Sequence, residues 1–419
     1  MSNSVFSWSV AGLIGLLCLP AAHADTDRWT LERAVTHGLA LAPEAEAFEH
    51  RIDAQRGARD QAGRWPNPTL EAEASDRLGM EDGRSGYSLS GIAVTQPLPL
   101  WGQIGHRRDA ASARLAATEA QTHADRLELE GHIGAAFHAW QQAEAGLELA
   151  RERLDEAQRL GRIARLRQER GDLSERERLR IDLFRSEAMR QLEAAEGERT
   201  EARATLAAWL DRRPTELGTA PAFDDPPPAP ARIEPQTVVD QHPALRAASE
   251  QQQAAQLEIA RARAAGRPDI GIRLFQEREV IDGRRETSTG VALQLELPLW
   301  DRNQGRVRES VADHYTRQTE VRALRRDLTR QVEVGTVHLA HLLDELERHR
   351  GETLAPARRV RELTYRGYEA GEASLLELLE AYNTHFNAIE QEHELLAQSW
   401  AEWRQLRIAA GLSLAEDTP

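Results

Sequence analysis

The chain has 419 residues, of which 29% are charged and 5% aromatic, and a formal net charge of −15 at pH 7. So few aromatic residues leave little material for large compact cores, and the composition favours long helices. The acidic excess excludes a nucleic-acid surface, which needs clustered Lys and Arg to neutralise phosphates.

The N-terminus carries an apolar run, Val10 to Ala22, that ends in Ala22-His23-Ala24. This reads as a secretory leader over residues 1–24 with a mature start at Asp25, although Met1 to Ser9 lack the usual Lys or Arg. Cys18 is the only cysteine and lies inside that run. Leu16 and Leu17 before it are too large for a lipoprotein signal, so the mature chain is expected to carry neither disulfides nor thiol chemistry. No later apolar run is long enough for a spanning helix. Any crossing of a membrane would be made by strands.

From Trp29 to Gly63 the spacing of Leu31, Ala34, Val35 and Leu39 predicts helix, with a pause at Pro43 and a stop at Pro66 and Pro68. Residues 68–98 then read as a β-hairpin around a Gly-rich loop. The first strand alternates Leu70, Ala72 and Ala74 against Glu71, Glu73 and Ser75, whereas the second alternates poorly. Leu98-Pro99-Leu100-Trp101 closes it, since Pro suits the end of a strand and not its middle.

A long helical hairpin is expected over 104–211. Ile133, Ala136, Trp140, Ala143, Leu147, Ala150, Leu154 and Ala157 keep a/d heptad spacing, the seam of a coiled coil. Gly171 breaks the helix, Ser174 is a plausible N-cap, and a returning helix runs through Leu179, Leu183 and Leu192 to Leu210. Residues 214–235, with Pro226-Pro227-Pro228 and Pro230, read as an extended tether.

The plan then repeats over 236–419. Ala42-Pro43 returns as His242-Pro243, Arg64-Trp65-Pro66 as Gly266-Arg267-Pro268, Leu98 to Trp101 as Leu297-Pro298-Leu299-Trp300, and Gly171 to Ser174 as Gly371-Glu372-Ala373-Ser374. Four landmarks in register mark a duplicated unit following residues 25–213. The second hairpin, 269–298, alternates more clearly: Ile270, Ile272 and Leu274, then Val291, Leu293, Leu295 and Leu297, face one way. The second helical hairpin spans 304–412, with Leu328, Val332, Leu339, Leu342 and Leu346 as its outgoing seam.

Strands of about 10 residues with one apolar and one polar face suit a lipid-facing barrel, and equally an ordinary half-buried sheet. Four strands cannot close a barrel, because membrane barrels begin at about eight and an open edge in lipid leaves backbone groups unpaired. A membrane reading therefore demands oligomers. Trp101 and Trp300 then lie at the membrane rim, or else pack beneath the hairpins. Asn303-Gln304-Gly305 is expected to shape the strand-to-helix turn.

Enzymatic chemistry finds no support. His393-Glu394 begins a zinc-protease motif, but Ala397 stands where the second His belongs. His338 and His341, near Asp344 and Glu345, could bind a metal but read as a solvated helix face, and no metal site is assigned.

The tip sequence Tyr368-Glu369-Ala370-Gly371-Glu372-Ala373-Ser374-Leu375-Leu376-Glu377-Leu378-Leu379, within the repeated plan, resembles the TolC-like outer membrane factors of tripartite efflux systems. Leu297 to Gly305 and Gln96 to Gly102 are similar to the heavy-metal, cobalt-zinc-cadmium branch. The resemblance implies a mostly α fold with a small membrane β part. In it, two repeats of β-hairpin plus helical hairpin are completed as an α/β barrel by trimerisation.

It also implies a homotrimer in outer-membrane lipid that extends into the periplasm of a Gram-negative cell. Its partners would be a periplasmic adaptor and an inner-membrane proton-driven pump of the resistance-nodulation-division (RND) class, with no cofactor and no nucleic acid. The implied function is a passive gated conduit for divalent heavy-metal cations. The same channel serving drugs or secreted polypeptides, and a non-conducting periplasmic scaffold, stay open. Gly171, Asp172, Ser174, Gly371, Glu372 and Ser374 would form the adaptor-docking tip. Pro99, Trp101, Pro298, Trp300, Asn303 and Gly305 would form the membrane rim and strand-to-helix turns.

Overall fold

A computed structural model describes residues 28–77, 87–169, 171, 173–230, 234–281 and 284–415. The expected leader and Asp172 lie outside the described residues. In chain order, α1 (Leu31–Leu41) and α2 (Pro43–Ala62) precede β1 (Thr69–Arg77) and β2 (Tyr87–Leu98). Next come α3 (Gln103–Glu169) and α4 (Glu175–Trp209). The second repeat has α5 (Pro235–Asp240), α6 (Pro243–Ala265), β3 (Asp269–Ile281), β4 (Arg284–Glu296), α7 (Gln304–His349), α8 (Ala355–Ala370) and α9 (Leu375–Ala409).

Proline sets the matching breaks. Ala42 and His242 are held extended by the Pro that follows each, and that Pro takes the first position of α2 or α6, where its missing N–H costs nothing. His242 adds a lock: Nδ1 accepts the Ala244 N–H at 3.0 Å, and Nε2 lies 2.9 Å from the Ile408 carbonyl.

At 67 residues, α3 is about 100 Å long at about 1.5 Å per residue. No propensity holds so long a helix in water without lateral packing. Its heptad seam supplies that packing: Ile133, Ala136, Trp140, Leu147, Ala150 and Ala157 are buried, while Ala143 and Leu154 are half-buried. On α7 the expected seam of Leu328, Val332, Leu339, Leu342 and Leu346 is buried throughout. In α4, however, the buried positions are Ile181, Ala188, Ala195, Leu206 and Ala207. Leu179 and Leu183 face away, because two residues on from a buried position is the opposite side of a helix.

The outgoing helix of the second repeat is not continuous. A π-turn at Arg350–Leu354 separates α7 from α8, just before Pro356, which has no N–H to give to the ladder. The Pro-rich segment is docked rather than free. Leu217 is buried with Leu206, Leu210 and Trp140. Phe223 packs against Leu342, Leu346, Leu395 and Leu396, and the Asp225 carbonyl accepts the Trp400 indole N–H at 3.1 Å.

The hairpins join into one antiparallel sheet in the order β1-β2-β3-β4. The poorly alternating β2 is an inner strand, paired with β1 on one side and β3 on the other. Among the described residues both outer strands keep one unpaired edge. No described helix is long and apolar enough to cross a membrane.

Candidate channel face and helical tip

The sheet has two chemically distinct faces. Leu70, Val94, Leu274 and Val291 are register partners in one row across all four strands. All four are exposed, as are Ile92, Ile272, Leu293 and Leu295 in neighbouring rows of the same face. From Leu295 to Ile92 this apolar band runs about 20 Å at about 3.4 Å per residue, near the height of a barrel's lipid belt. The row beyond it, Ser90, Arg278 and Thr287, is polar.

The opposite face carries Glu71, Glu73, Arg273, Glu277 and Gln294. Arg273 Nη2 lies 3.2 Å from Glu71 Oε2. Phe275 sits opposite Gly290 in β4, and a Cβ on Gly290 would lie 2.4 Å from the Phe275 ring. The ring therefore needs glycine beneath it. Where this face meets α3 and α6 there is a cavity of about 550 Å³, bordered by Glu71, Thr95, Gln103, Arg107, Asp269 and Glu296. Thr95 Oγ1, Gln103 Oε1 and Arg107 Nε are shielded there and lack a hydrogen-bond partner among the described residues. These unpartnered atoms call for water.

At the strand-to-helix junctions both tryptophans face outward, Trp101 with 46% and Trp300 with 87% of its surface exposed. Trp101 Nε1 donates to the Pro268 carbonyl at 2.8 Å and so ties the repeats together. Leu100, Leu297 and Leu299 are exposed beside them. Pro99 borders the cavity, and Pro298 follows the end of β4. Asn303 takes a left-handed conformation at the start of α7, and its Nδ2 donates to the Ala262 carbonyl at 2.7 Å. Gly305 meets nothing a Cβ would touch, so neither space nor conformation requires glycine there.

At the far end the two helical turns are built alike. Gly171 has φ of 79° and Gly371 has φ of 81°, with open space around both. A side chain rarely tolerates that backbone conformation, so glycine suits both turns. Ser174 and Ser374 then cap α4 and α9, and each cap is reciprocal. Oγ accepts the N–H of Glu177 or Glu377 at 3.3 Å in both turns. In return the Glu177 carboxylate accepts the Ser174 N–H at 3.0 Å, and the Glu377 carboxylate accepts the Ser374 N–H at 2.7 Å. These bonds hold both carboxyls below the usual range, the Ser174 side-chain bond contributing most at Glu177 and the Ser374 backbone bond at Glu377. The sequence signal was Ser-x-x-Glu, and the glutamates were not singled out. Glu372 gives its N–H to the Gly367 carbonyl at 2.8 Å.

Behind the turns lies a shared core of Leu160, Ile181, Tyr368, Leu378, Tyr382 and Phe386. Arg167 covers the Tyr368 ring at 4.3 Å and donates to its carbonyl at 3.1 Å, joining the two hairpins. Tyr382 Oη donates to Glu156 at 2.9 Å; burial, then that carboxylate, raise the phenol's pKa. Arg153, buried across Phe386, pairs with Glu390 at 2.8 Å. None of Arg153, Glu156, Arg167 or Tyr382 stood out in sequence, since each pairs with a residue in the other repeat. His338 pairs with Glu402 at 3.0 Å and His341 with Glu345 at 3.7 Å, two separate pairs. Among the described residues no group of three or more His, Cys, Asp or Glu could hold a metal ion.

A sheet with one lipid-compatible and one polar face, continued by a long helical hairpin array, is the architecture of an outer-membrane efflux channel. The chain belongs to the outer membrane efflux protein family, whose pattern it matches over residues 37–211 and 235–412. It is 25% identical over 360 residues, 86% of this chain and 84% of the relative, to the cobalt-zinc-cadmium resistance protein CzcC of Cupriavidus metallidurans.

Among solved structures it is similar to CusC, with a TM-score of 0.77, 17% identity and 93% of each chain covered. It is also similar to a membrane protein from Pseudomonas aeruginosa, with a TM-score of 0.78, 20% identity and 93% and 91% covered. The open state of the Neisseria gonorrhoeae channel MtrE gives 0.77 at 18% identity, with 92% and 89% covered. The fold is TolC-like, and the family's members are conduits rather than enzymes.

Proposed function

We propose that this chain is the outer-membrane channel of a tripartite system exporting divalent heavy-metal cations. Three copies would close a twelve-stranded barrel, the smallest multiple of four strands that exceeds eight and leaves room for a water-filled passage. Trp101 and Trp300, with the apolar residues around them, would sit at the inner rim of the membrane. The helices would extend into the periplasm of a Gram-negative cell. A periplasmic adaptor coupled to an RND-type inner-membrane pump would engage the tip formed by Gly171, Asp172, Ser174, Gly371, Glu372 and Ser374.

The observation that carries the channel is the four-stranded sheet with an exposed apolar face, a polar face and two unpaired edges. In lipid those edges must pair with other copies. The cargo rests on the likeness to CzcC, supported by the acidic balance of the polar face, which would concentrate cations. The test is growth of a deletion strain, with and without complementation, on zinc, cobalt, cadmium, copper, dyes and detergents. Sensitivity to a group of divalent cations supports the reading; sensitivity to organic compounds alone contradicts its cargo.

A further inference from the structure

Toward the tip the helices lie side by side in the order α4, α3, α9, α8, each packed on the next. Nearer the sheet, α2 packs on α3, and α7 packs on α6 and α9. The chain therefore has two lateral flanks, one formed by β1, α2 and α4 and the other by β4, α7 and α8. The unpaired edges of the sheet belong to the same two flanks.

Each flank shows apolar side chains near the tip that the other described residues leave half or more exposed, or nearly so. Leu179 and Leu183 stand two residues either side of the buried Ile181, so they point away from α3, and Leu183 is 70% exposed. On α8, Ala357 and Tyr368 turn inward, while Leu363 lies on the far side and Val360 beside it, each 50% exposed. Measured from the turns, Leu179 and Leu183 stand about 7 and about 13 Å along α4, and Leu363 and Val360 about 12 and about 16 Å along α8, at about 1.5 Å per residue. The two pairs overlap in height.

We propose that Leu179 and Leu183 of one copy pack against Val360 and Leu363 of the next, forming an apolar seam repeated around the ring. The seam rests on the trimeric reading above and adds the side chains that hold its helical end. A second copy is the occupant because the flanks that carry these residues also carry the β1 and β4 edges. Pairing those edges in lipid brings the α4 flank of one copy against the α8 flank of its neighbour. The contact is head-to-tail, so each copy uses both flanks and the ring closes with none left over.

The test uses the full chain in a Cys18→Ser background, purified in detergent, with native mass measured before mild oxidation. Leu183→Cys together with Leu363→Cys is expected to shift the bulk of the protein to disulfide-linked dimers and trimers on boiled, non-reducing gels. Each single variant stays monomeric. In a second variant, Leu183→Glu lowers the temperature at which the trimer dissociates, and adding Leu363→Arg recovers it. A native trimer whose double-cysteine form links no more than the single variants overturns the seam and leaves the trimer standing. A monomer in the native measurement overturns both.

Discussion

Gly102 and Asn303 both take a positive φ, 72° and 61°, in the residue just before α3 and α7. Both repeats thus pass from strand into helix through a residue of positive φ, glycine in one and asparagine in the other. Asn is among the few side chains that tolerate this region, and Asn303 adds the bond to Ala262 that glycine could not make.

Asn303→Gly should therefore keep the turn and lose only that bond, costing about 1 kcal/mol. Asn303→Val should cost clearly more, since a β-branched residue does not tolerate positive φ. Thermal unfolding of the two variants in detergent checks the order.

Gly290 lies beneath the Phe275 ring, so Gly290→Ala should destabilise the sheet by about 1–3 kcal/mol through overpacking. Phe275→Ala in the same chain should recover part of that loss. A double-mutant cycle on heat dissociation of the assembled protein measures the coupling.

The caps at Ser174 and Ser374 are each worth about 1 kcal/mol, so Ser174→Ala and Ser374→Ala should fray the tip. Glu177 and Glu377 titrate below their ordinary range when folded, so the stability they add is present at neutral pH. It is lost as pH falls through those lowered values. Hydrogen exchange at residues 174–180 and 374–380, at neutral and acid pH, reads this directly.

His385 is buried, and burial first, then Arg361 and Arg358, lower its pKa from 6.5 to about 4, against the opposing pull of Glu362. The unfolded chain binds this proton below pH 6.5 and the folded chain only near pH 4. Stability should fall across that window as pH drops. His385→Phe should flatten the pH dependence of the unfolding temperature between about pH 7 and about pH 5.

Much of this architecture was legible in sequence because it rests on local chemistry. Proline and glycine fix breaks without tertiary help, so Pro43, Pro243, Gly171 and Gly371 marked the repeat. Heptads on α3 and α7 exposed their seams. The leucines of α4 marked the returning helix but not its packed side, since Ile181, Ala188 and Ala195 face inward while Leu179 and Leu183 stay outside. Two features had unread signals: Pro356 for the π-turn, and Ser-x-x-Glu for the reciprocal caps. The rest was set between repeats. The pairing of β2 with β3, the bond from Trp101 to Pro268 and the contact of Arg167 with Tyr368 join residues far apart in the chain, and no local pattern encodes them.

The most direct test of the channel and its cargo is export itself. Cells with and without the gene would be preloaded with zinc, cobalt or cadmium, and the cell-associated metal followed over time by mass spectrometry. Slow loss of metal in the deletion strain, restored by complementation, is the predicted result. Equal metal loss in both strains, with organic dyes retained only by the deletion strain, would contradict it.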